Sequence, residues 1–271
     1  VDLLETSGFH QWTEKVHQFS QSRELQNEIV YWNQLAKPSY IQLPDIIENL
    51  ALTIKETKAV KISFTEIETE NILKKALLKY QCNINELLLA SLARALSEFR
   101  KAPDTLIMME GHGRNESLSG ELDLSRTVGW FTNAFPFLLK NSVGNFADQI
   151  KEIQNQFSNL PNHGLGYGIL KYISGNYSPD VFLDKFKPKI SFNYLGQYDG
   201  GAEPSTIEID KASPDFSVSE GAPLLYSLNI NGIIQSKRLE FYFSYHEIEY
   251  SYEVVNALAE KFKNNIIKVL S

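Results

Sequence analysis

The stretch Leu106-Ile-Met-Met-Glu-Gly-His-Gly-Arg114 carries the strongest structural signal in this chain. Its first four residues form an unbroken apolar run, typical of a strand buried on both faces, and the run ends in the carboxylate of Glu110. Successive strand side chains point to opposite faces, so we expect Glu110 to share a face with Met108. Gly111 and Gly113 let the backbone turn sharply and leave space beside the carboxylate. The pattern predicts a buried strand with one carboxylate at its open end.

Two interpretations of Glu110 stay open from this motif alone. We expect Arg114, four residues further on across the glycine turn, to form an ion pair with it. Such a pair would either close the strand end structurally or tune a carboxylate that works as a base. A second strand-like segment, 189–195, carries Asn193 and Tyr194, uncharged groups able to orient a substrate or stabilise developing negative charge. We interpret the two strand ends as one acid–base site, with purely structural polar groups as the alternative.

Composition excludes several classes of function. Lys and Arg total 26 against 33 Asp and Glu in 271 residues, a net charge of −7, which argues against a nucleic-acid partner. No stretch approaches the roughly 20 apolar residues of a membrane span, and the first residues lack the basic start of a signal peptide. The single cysteine, Cys82, allows no internal disulfide and fits a reducing compartment. We therefore expect a cytoplasmic protein with no membrane segment.

Metal and covalent chemistry find little support in the sequence. None of the five histidines stands at metal-ligand spacing from another histidine or a cysteine, so no metal site is predicted. Gly-x-Ser-x-Gly does not occur, and Cys82 has no neighbouring base. The run 164–168, Gly-Leu-Gly-Tyr-Gly, lacks the preceding strand and the spacing of a dinucleotide fingerprint. We interpret it as a loop in which backbones approach closely, with Tyr167 as a packing residue or a site wall.

Helical and strand-like patterns alternate along the chain. Both types of pattern recur, which indicates an α/β fold with ample apolar content for a core. Asn85 is expected to open the helix that precedes the Glu110 strand. Pro38 and Pro44 interrupt the leading helical pattern, and a lobe boundary is expected near residues 45–58.

Four motifs, in this order, resemble the epimerization domains of nonribosomal peptide synthetases. They are Glu-Gly-His-Gly-Arg at 110–114, Asp-Leu-Ser-Arg-Thr-Val-Gly-Trp-Phe-Thr at 123–132, Gly-x-Gly-Tyr-Gly at 164–168 and Ser-Phe-Asn-Tyr-Leu-Gly at 191–196. The resemblance runs the length of the chain, and its Asn-Tyr-Leu-Gly motif separates it from the sister condensation domains. The family usually continues Gly-Arg-Glu, whereas here Asn115 intervenes.

The resemblance implies a chloramphenicol-acetyltransferase-like α/β fold, with a mixed β-sheet flanked by helices. Its two lobes enclose a tunnel, through which the 4'-phosphopantetheine arm of a peptidyl carrier protein presents an aminoacyl or peptidyl thioester. The implied reaction inverts the α-carbon from L to D by acid–base proton transfer, with no tightly bound cofactor. Other synthetase domains are the further partners that the resemblance implies.

The resemblance also assigns roles to individual residues. Glu110 would be an acid–base group, Asn193 and Tyr194 would line the site with it, and Arg114 would hold the loop and tune the carboxylate. The supporting residues would be His112, Arg114, Trp130 and Tyr167.

One family motif, His-His-x-x-x-Asp-Gly, with its opposing acid–base histidine, does not occur in this sequence. We therefore expect 1–58 to be a helical segment leading from an absent N-terminal lobe and 59–271 to be the C-terminal lobe, inactive without its partner lobe. The alternatives are a condensation domain that forms peptide bonds and an inactive module that binds carrier protein.

Overall fold

A computed structural model of the protein describes residues 6–35, 40, 52–142, 144–175, 188–197 and 219–270. Helices and strands alternate along the chain as the sequence predicts. The helices are α1 (Phe9–Ser20), α2 (Arg23–Gln34), α3 (Glu66–Asn71), α4 (Leu77–Tyr80), α5 (Ile84–Arg100), α6 (Glu116–Ser119), α7 (Phe146–Ser158), α8 (Leu165–Tyr172) and α9 (Tyr252–Lys268). The strands are β1 (Thr57–Ser63), β2 (Asp104–Gly111), β3 (Asn133–Lys140), β4 (Ile190–Gln197), β5 (Leu228–Gln235) and β6 (Arg238–His246).

The described strands form one mixed sheet in the order β1-β6-β5-β4-β2-β3. β4 lies between β2 and β5 and runs parallel to both, whereas the remaining pairs are antiparallel. The predicted mixed sheet with flanking helices is confirmed. Met109 lies opposite Phe192, so the next residues along the two strands, Glu110 and Asn193, are neighbours at the carboxyl ends of β2 and β4.

Alternation along the strands gives this sheet two unlike faces. On one face, which we call the covered face, side chains such as Ile107, Ile230 and Phe241 are fully buried. The ring of Phe262 from α9 packs edge-on against Phe241 with centroids 4.9 Å apart. Burying each such side chain stabilises the fold by roughly 1.5–3 kcal/mol. The covered face and the helices on it form the main core.

The other face, which we call the open face, carries partly exposed polar side chains. Asn193 lies opposite Asn231, and Asn231 lies opposite Tyr242, so these side chains form one row across three strands. All three are only partly buried. Glu110 belongs to this face because it is two residues beyond Met108, which the sequence pattern predicts.

Two boundaries differ from the sequence predictions. Asn83, not Asn85, caps α5, since its side chain accepts from the backbone N–H of Glu86 at 3.0 Å. Glu86 in turn accepts from the N–H of Asn83, so two exposed backbone donors are satisfied reciprocally. β1 begins at Thr57, two residues before the expected start of the lobe at 59. Residues 41–51, which include half of the expected boundary at 45–58, lie outside the described residues, so the division of the chain stays a prediction.

The Gly-Leu-Gly-Tyr-Gly run is a helix, and the prediction of a loop there is wrong. It opens α8, which begins at Leu165. The close neighbour of Gly166 is a side chain and not the expected backbone, because an added Cβ would lie 2.0 Å from the Oε2 atom of Glu28 in α2. Tyr167 is buried, and its ring packs edge-on against Trp32 of α2 with centroids 5.3 Å apart. Glycine serves helix packing here, which overrides its low helix propensity.

Candidate functional site

Glu110 and Asn193 meet at the carboxyl ends of two parallel strands. The Nδ2 group of Asn193 donates to the Oε2 atom of Glu110 at 2.7 Å. Glu110 is exposed and Asn193 is partly exposed, so solvent and solutes reach the carboxylate from the open face. Within the described part of the chain no second hydrogen bond to Glu110 is present, and Oε1 remains available to accept a proton. The structure thus brings these two predicted residues into contact, and their role in a catalytic site stays a prediction.

Arg114 does not pair with Glu110, so the predicted ion pair is wrong. Its guanidinium donates to the backbone oxygens of Leu124 and Thr127, the latter at 2.8 Å. It also stacks over the ring of Phe131, 3.9 Å from the centroid. A planar fork of donors suits two carbonyl oxygens and an aromatic face. Arg114 therefore anchors residues 123–132 against the loop that follows β2.

Gly113 explains why the arginine turns away from the carboxylate. Its φ of +67° lies in the left-handed region that favours glycine, and it reverses the chain before Arg114. A Cβ at this position would lie 1.5 Å from the backbone oxygen of Phe131. The loop and the 123–132 segment are therefore in direct backbone contact, which only glycine permits here.

Two of the predicted supporting residues, His112 and Trp130, are exposed. The Nδ1 atom of His112 accepts from the backbone N–H of Arg114 at 3.1 Å, so the imidazole stabilises the turn. Trp130 is 91% exposed, which is unusual for so large an apolar side chain. It lies at the rim of a cavity that Tyr167 also lines.

This cavity, of about 680 Å³, lies between α1, α8 and the segments 130–134 and 225–226. Met108 and Ala134 line it. Both share the open face with Glu110, because Met108 precedes Glu110 by two residues and Ala134 lies directly opposite Glu110 on β3. Two open-face neighbours of Glu110 therefore line a mostly apolar cavity of the size that binds small organic groups, whereas Glu110 itself lines a second cavity of about 290 Å³ together with His112 and Asn162.

Tyr194 lies on the opposite side of the sheet from Glu110, contrary to the prediction that both line one site. It is opposite Gly232 in β5, and a Cβ on Gly232 would lie 2.2 Å from the ring of buried Phe241. Tyr194 is thus directed to the covered face, where it packs against the core. Burial raises the pKa of its phenol to about 12.

Tyr226 is a site residue that the sequence did not indicate. It lines the same cavity as Met108 and is partly buried. Burial raises the pKa of its phenol, and the negative charge of Glu110 and the neighbouring Tyr172 raise it further. Tyr226 is therefore a neutral hydrogen-bond donor at neutral pH. Its position in an apolar run gave no signal, because only the folded chain brings it to this cavity.

Neither a membrane span nor a metal cluster is present in the residues that the structure describes. No helix among them is long and apolar enough to cross a bilayer. Nor do these residues bring together three or more histidine, cysteine or acidic side chains in a metal-binding arrangement.

Comparison with known families and proteins gives consistent matches over the full chain. The family model described as "Condensation domain" matches residues 1–271. Surfactin synthase subunit 2 of Bacillus subtilis (strain 168) is 33% identical over 265 residues, which cover 98% of this chain and 7% of that protein. Bacitracin synthase 2 of Bacillus licheniformis is 31% identical over 267 residues, covering 98% and 10%. The chain thus spans a tenth or less of these relatives.

Among solved structures, the epimerization domain from the third module of tyrocidine synthetase B superposes with a TM-score of 0.87 at 26% identity. The match covers 100% of this chain and 60% of that one. The first condensation domain of the calcium-dependent antibiotic synthetase gives a TM-score of 0.64 at 17% identity, covering 100% and 56%, which reflects the shared fold alone.

Proposed function

Because this chain belongs to the condensation-domain family of nonribosomal peptide synthetases, we propose that it forms part of an epimerization domain. Its reaction would invert the α-carbon of an aminoacyl or peptidyl thioester from L to D. The substrate would be carried on the 4'-phosphopantetheine of a peptidyl carrier protein. One observation carries this proposal: the accessible carboxylate of Glu110, held by Asn193 beside a cavity on the open face.

Inversion requires a base for the α-proton, and Glu110 fits that role. Its carboxylate takes the proton from the α-carbon, and the electron pair of the broken C–H bond moves to the thioester carbonyl oxygen as an enolate. A thioester α-proton is acidic enough for a positioned carboxylate and hydrogen bonds to the enolate oxygen to suffice. The Asn193 amide donates its N–H to one carboxylate oxygen and thereby orients the other oxygen.

The enolate oxygen needs a hydrogen-bond donor that is itself neutral. Tyr226 meets this requirement, because burial and the charge of Glu110 raise the pKa of its phenol. Tyr226 lines the same cavity as Met108, whose side chain shares the open face with Glu110. We assign it the role of enolate stabiliser in this proposal.

The returning proton must reach the opposite face of the planar enolate, so a second proton carrier is required. This chain covers 60% of the tyrocidine epimerization domain chain. We propose that a second lobe, contributed by a separate stretch of polypeptide, supplies the opposing acid and closes the open face. The carrier protein and other synthetase domains are the partners that this arrangement requires.

The principal competing function is peptide-bond formation, which the family description itself favours. A condensation reaction joins two carrier-bound thioesters and leaves the configuration of the α-carbon unchanged. The higher TM-score against the epimerization domain, 0.87 compared with 0.64 for a condensation domain, supports inversion.

The test is a Glu110→Gln substitution in the full parent domain, with carrier-bound L- and D-aminoacyl thioesters as separate substrates. Glutamine keeps the size and one oxygen but cannot take up the α-proton. We expect the wash-in of solvent deuterium at the α-carbon to fall by ~10²-fold or more, the usual contribution of a positioned acid–base group. Normal inversion of both isomers by the variant would overturn the proposal. Peptide-bond formation by the wild-type domain without wash-in would favour condensation.

A further inference from the structure

A buried carboxylate in α2 takes no part in the proposed reaction. Glu28 is only 5% exposed, and both of its side-chain oxygens accept hydrogen bonds. Oε2 accepts from the indole N–H of Trp32 at 3.1 Å, and Oε1 accepts from the Nδ2 group of Asn162 at 2.8 Å. Burial raises the pKa of this carboxyl, while the two hydrogen bonds oppose the rise. Carboxylates are rarely buried, because removing a charged group from water is costly unless hydrogen bonds compensate for it.

The turn that carries Asn162 has an unusual backbone. Asn162 and His163 adopt φ values of 43° and 51°, both left-handed, and Gly164 follows at 83°. Non-glycine residues adopt this conformation rarely, and it persists only where the surroundings hold it in place. The bonds from Asn162 to the buried Glu28 at 2.8 Å and to the exposed Glu24 at 3.0 Å form one such restraint. A second is Gly164, where a Cβ would lie 2.3 Å from the ring of Phe135 in β3.

The strained turn is bonded directly to the loop that follows Glu110. The Nδ2 group of the buried Asn115 donates to the backbone oxygen of Asn162 at 3.0 Å. The Oδ1 atom of Asn115 accepts from the N–H of Leu118 at 3.0 Å, and its own N–H donates to Gly113 at 3.0 Å. Asn115 therefore joins the loop 111–115 to the turn 161–164.

A second bridge joins the same two segments. With the side-chain amide of Asn133 oriented so that both of its groups are satisfied, its nitrogen donates to the backbone oxygen of Gly111 at 3.1 Å. Its oxygen accepts from the N–H of Leu165, the first residue of α8, at 3.2 Å. Both ends of the loop are thus held to the segment that Glu28 fixes.

We propose that Glu28 is a positioning residue, which acts through Asn162 and Asn115 to hold the loop 111–115 and thereby the Glu110 carboxylate in place for proton transfer. This inference rests on the proposed function of Glu110. It gives α2, a helix outside the sheet, a direct part in the geometry of the site.

The test is a pair of substitutions that first breaks and then restores the connection. Trp32 and Asn162 donate to different oxygens of Glu28, and in Glu28→Gln one of these oxygens becomes an NH2 group, so one of the two donors loses its acceptor. In the double variant Glu28→Gln with Asn162→Asp, the glutamine accepts from Trp32 and donates to the new aspartate, so both bonds return with one reversed. All variants are made and compared in a Glu24→Gln background, because Asn162 also donates to Glu24 at 3.0 Å and an aspartate at 162 would otherwise face that carboxylate. Aspartate, like asparagine, tolerates the left-handed conformation.

We expect Glu28→Gln to lower the rate of deuterium wash-in at saturating carrier-bound substrate by ~10- to ~100-fold, because small displacements of reacting groups have effects of that size. The KM should not change. The double variant should recover to within about threefold of wild type by the same reasoning. Amide hydrogen exchange in residues 111–115, measured on this chain itself, should speed up in the single variant and return to normal in the double variant.

Thr69→Val is the matched control. Thr69 is buried, and its hydroxyl accepts from the N–H of Leu239 in β6 at 2.9 Å. β6 lies three strands away from β2 in the sheet. Its substitution should reduce stability without altering wash-in or exchange in the loop. The inference would be overturned if Glu28→Gln showed the same wash-in rate and the same loop exchange as wild type. It would also be overturned if the double variant did not recover the lost wash-in rate. Full activity of Glu110→Gln would instead contradict the proposed function. In that case the loop-exchange measurement would still decide whether Glu28 positions the loop.

Discussion

The two faces of the sheet are built from alternate residues of the same strands, yet they serve different ends. The covered face places Phe241 and its neighbours in a dry core against α9. The open face, one residue away along each strand, carries the carboxylate of Glu110, the amide of Asn193 and the row that ends at Tyr242. Strand parity therefore separates the core from the candidate site, so substitutions on the two faces should have separable effects.

The largest effect is expected on the covered face. Phe241→Ala removes a fully buried ring in contact with Phe262, and the cavity left behind should reduce the free energy of unfolding by about 3–5 kcal/mol. Asn231→Ala on the open face should change it by no more than about 0.5 kcal/mol. Urea denaturation of both variants measures the difference. Equal losses for the two substitutions would contradict the division between the faces.

A smaller effect is expected at the loop that ends the carboxylate strand. Gly113→Ala combines a left-handed backbone with a Cβ only 1.5 Å from the Phe131 oxygen, so it should reduce the free energy of unfolding by about 2 kcal/mol or more. Gly120 is a matched control, because it has a similar φ of +61° but an added Cβ would meet no atom within 4 Å. Its replacement by alanine should reduce stability by about 1 kcal/mol through the backbone alone. Thermal unfolding of the two variants compares them, and equal shifts would show that the contact with Phe131 is unimportant.

The smallest effect is a dependence on pH that comes from Glu28. Burial raises the pKa of this carboxyl above its unfolded value, so the folded state binds the proton more tightly. Its contribution to stability is fully present below the unfolded pKa, about 4.3, and is lost as the pH rises through the folded value. The stability of wild type relative to Glu28→Gln should therefore fall as the pH is raised from about 4 to 7.

Chemical denaturation across that range tests the sign. A difference between wild type and variant that stays constant with pH would show that Glu28 does not titrate in the folded protein. If the stability of wild type relative to the variant increased as the pH was raised, the pKa of Glu28 would be lowered in the folded protein and not raised.

Local patterns predicted the fold and two residues that the structure brings into contact. The apolar run before Glu110 and the polar end of β4 sufficed to bring Glu110 and Asn193 together, because parallel neighbouring strands end at the same edge. The same alternation, continued by one residue, places Tyr194 on the covered face, and that consequence was missed. The sequence could not place Tyr226, since no local pattern records which cavity a residue beside a strand will line.

The errors at Arg114 and in α8 share one cause. The sequence spacing predicts that Arg114 pairs with a carboxylate four residues away. In the folded chain its guanidinium instead contacts the backbone oxygens of 124 and 127 and the ring of Phe131. The glycine run at 164–168 predicts a loop, whereas Gly166 lies in a helix and leaves room for the side chain of Glu28. In both cases the deciding partner is distant in sequence.

The bond between Asn193 and Glu110 spans 83 residues of chain. β4, which carries Asn193, is held in the sheet between β2 and β5, so its final position depends on strands that come both earlier and later in the chain. Contacts of such long range form late in folding, because the entropy of closing the intervening loops must be overcome first. During synthesis on a ribosome, the carboxylate would therefore be present long before its amide partner, and the bond between them would report a finished sheet.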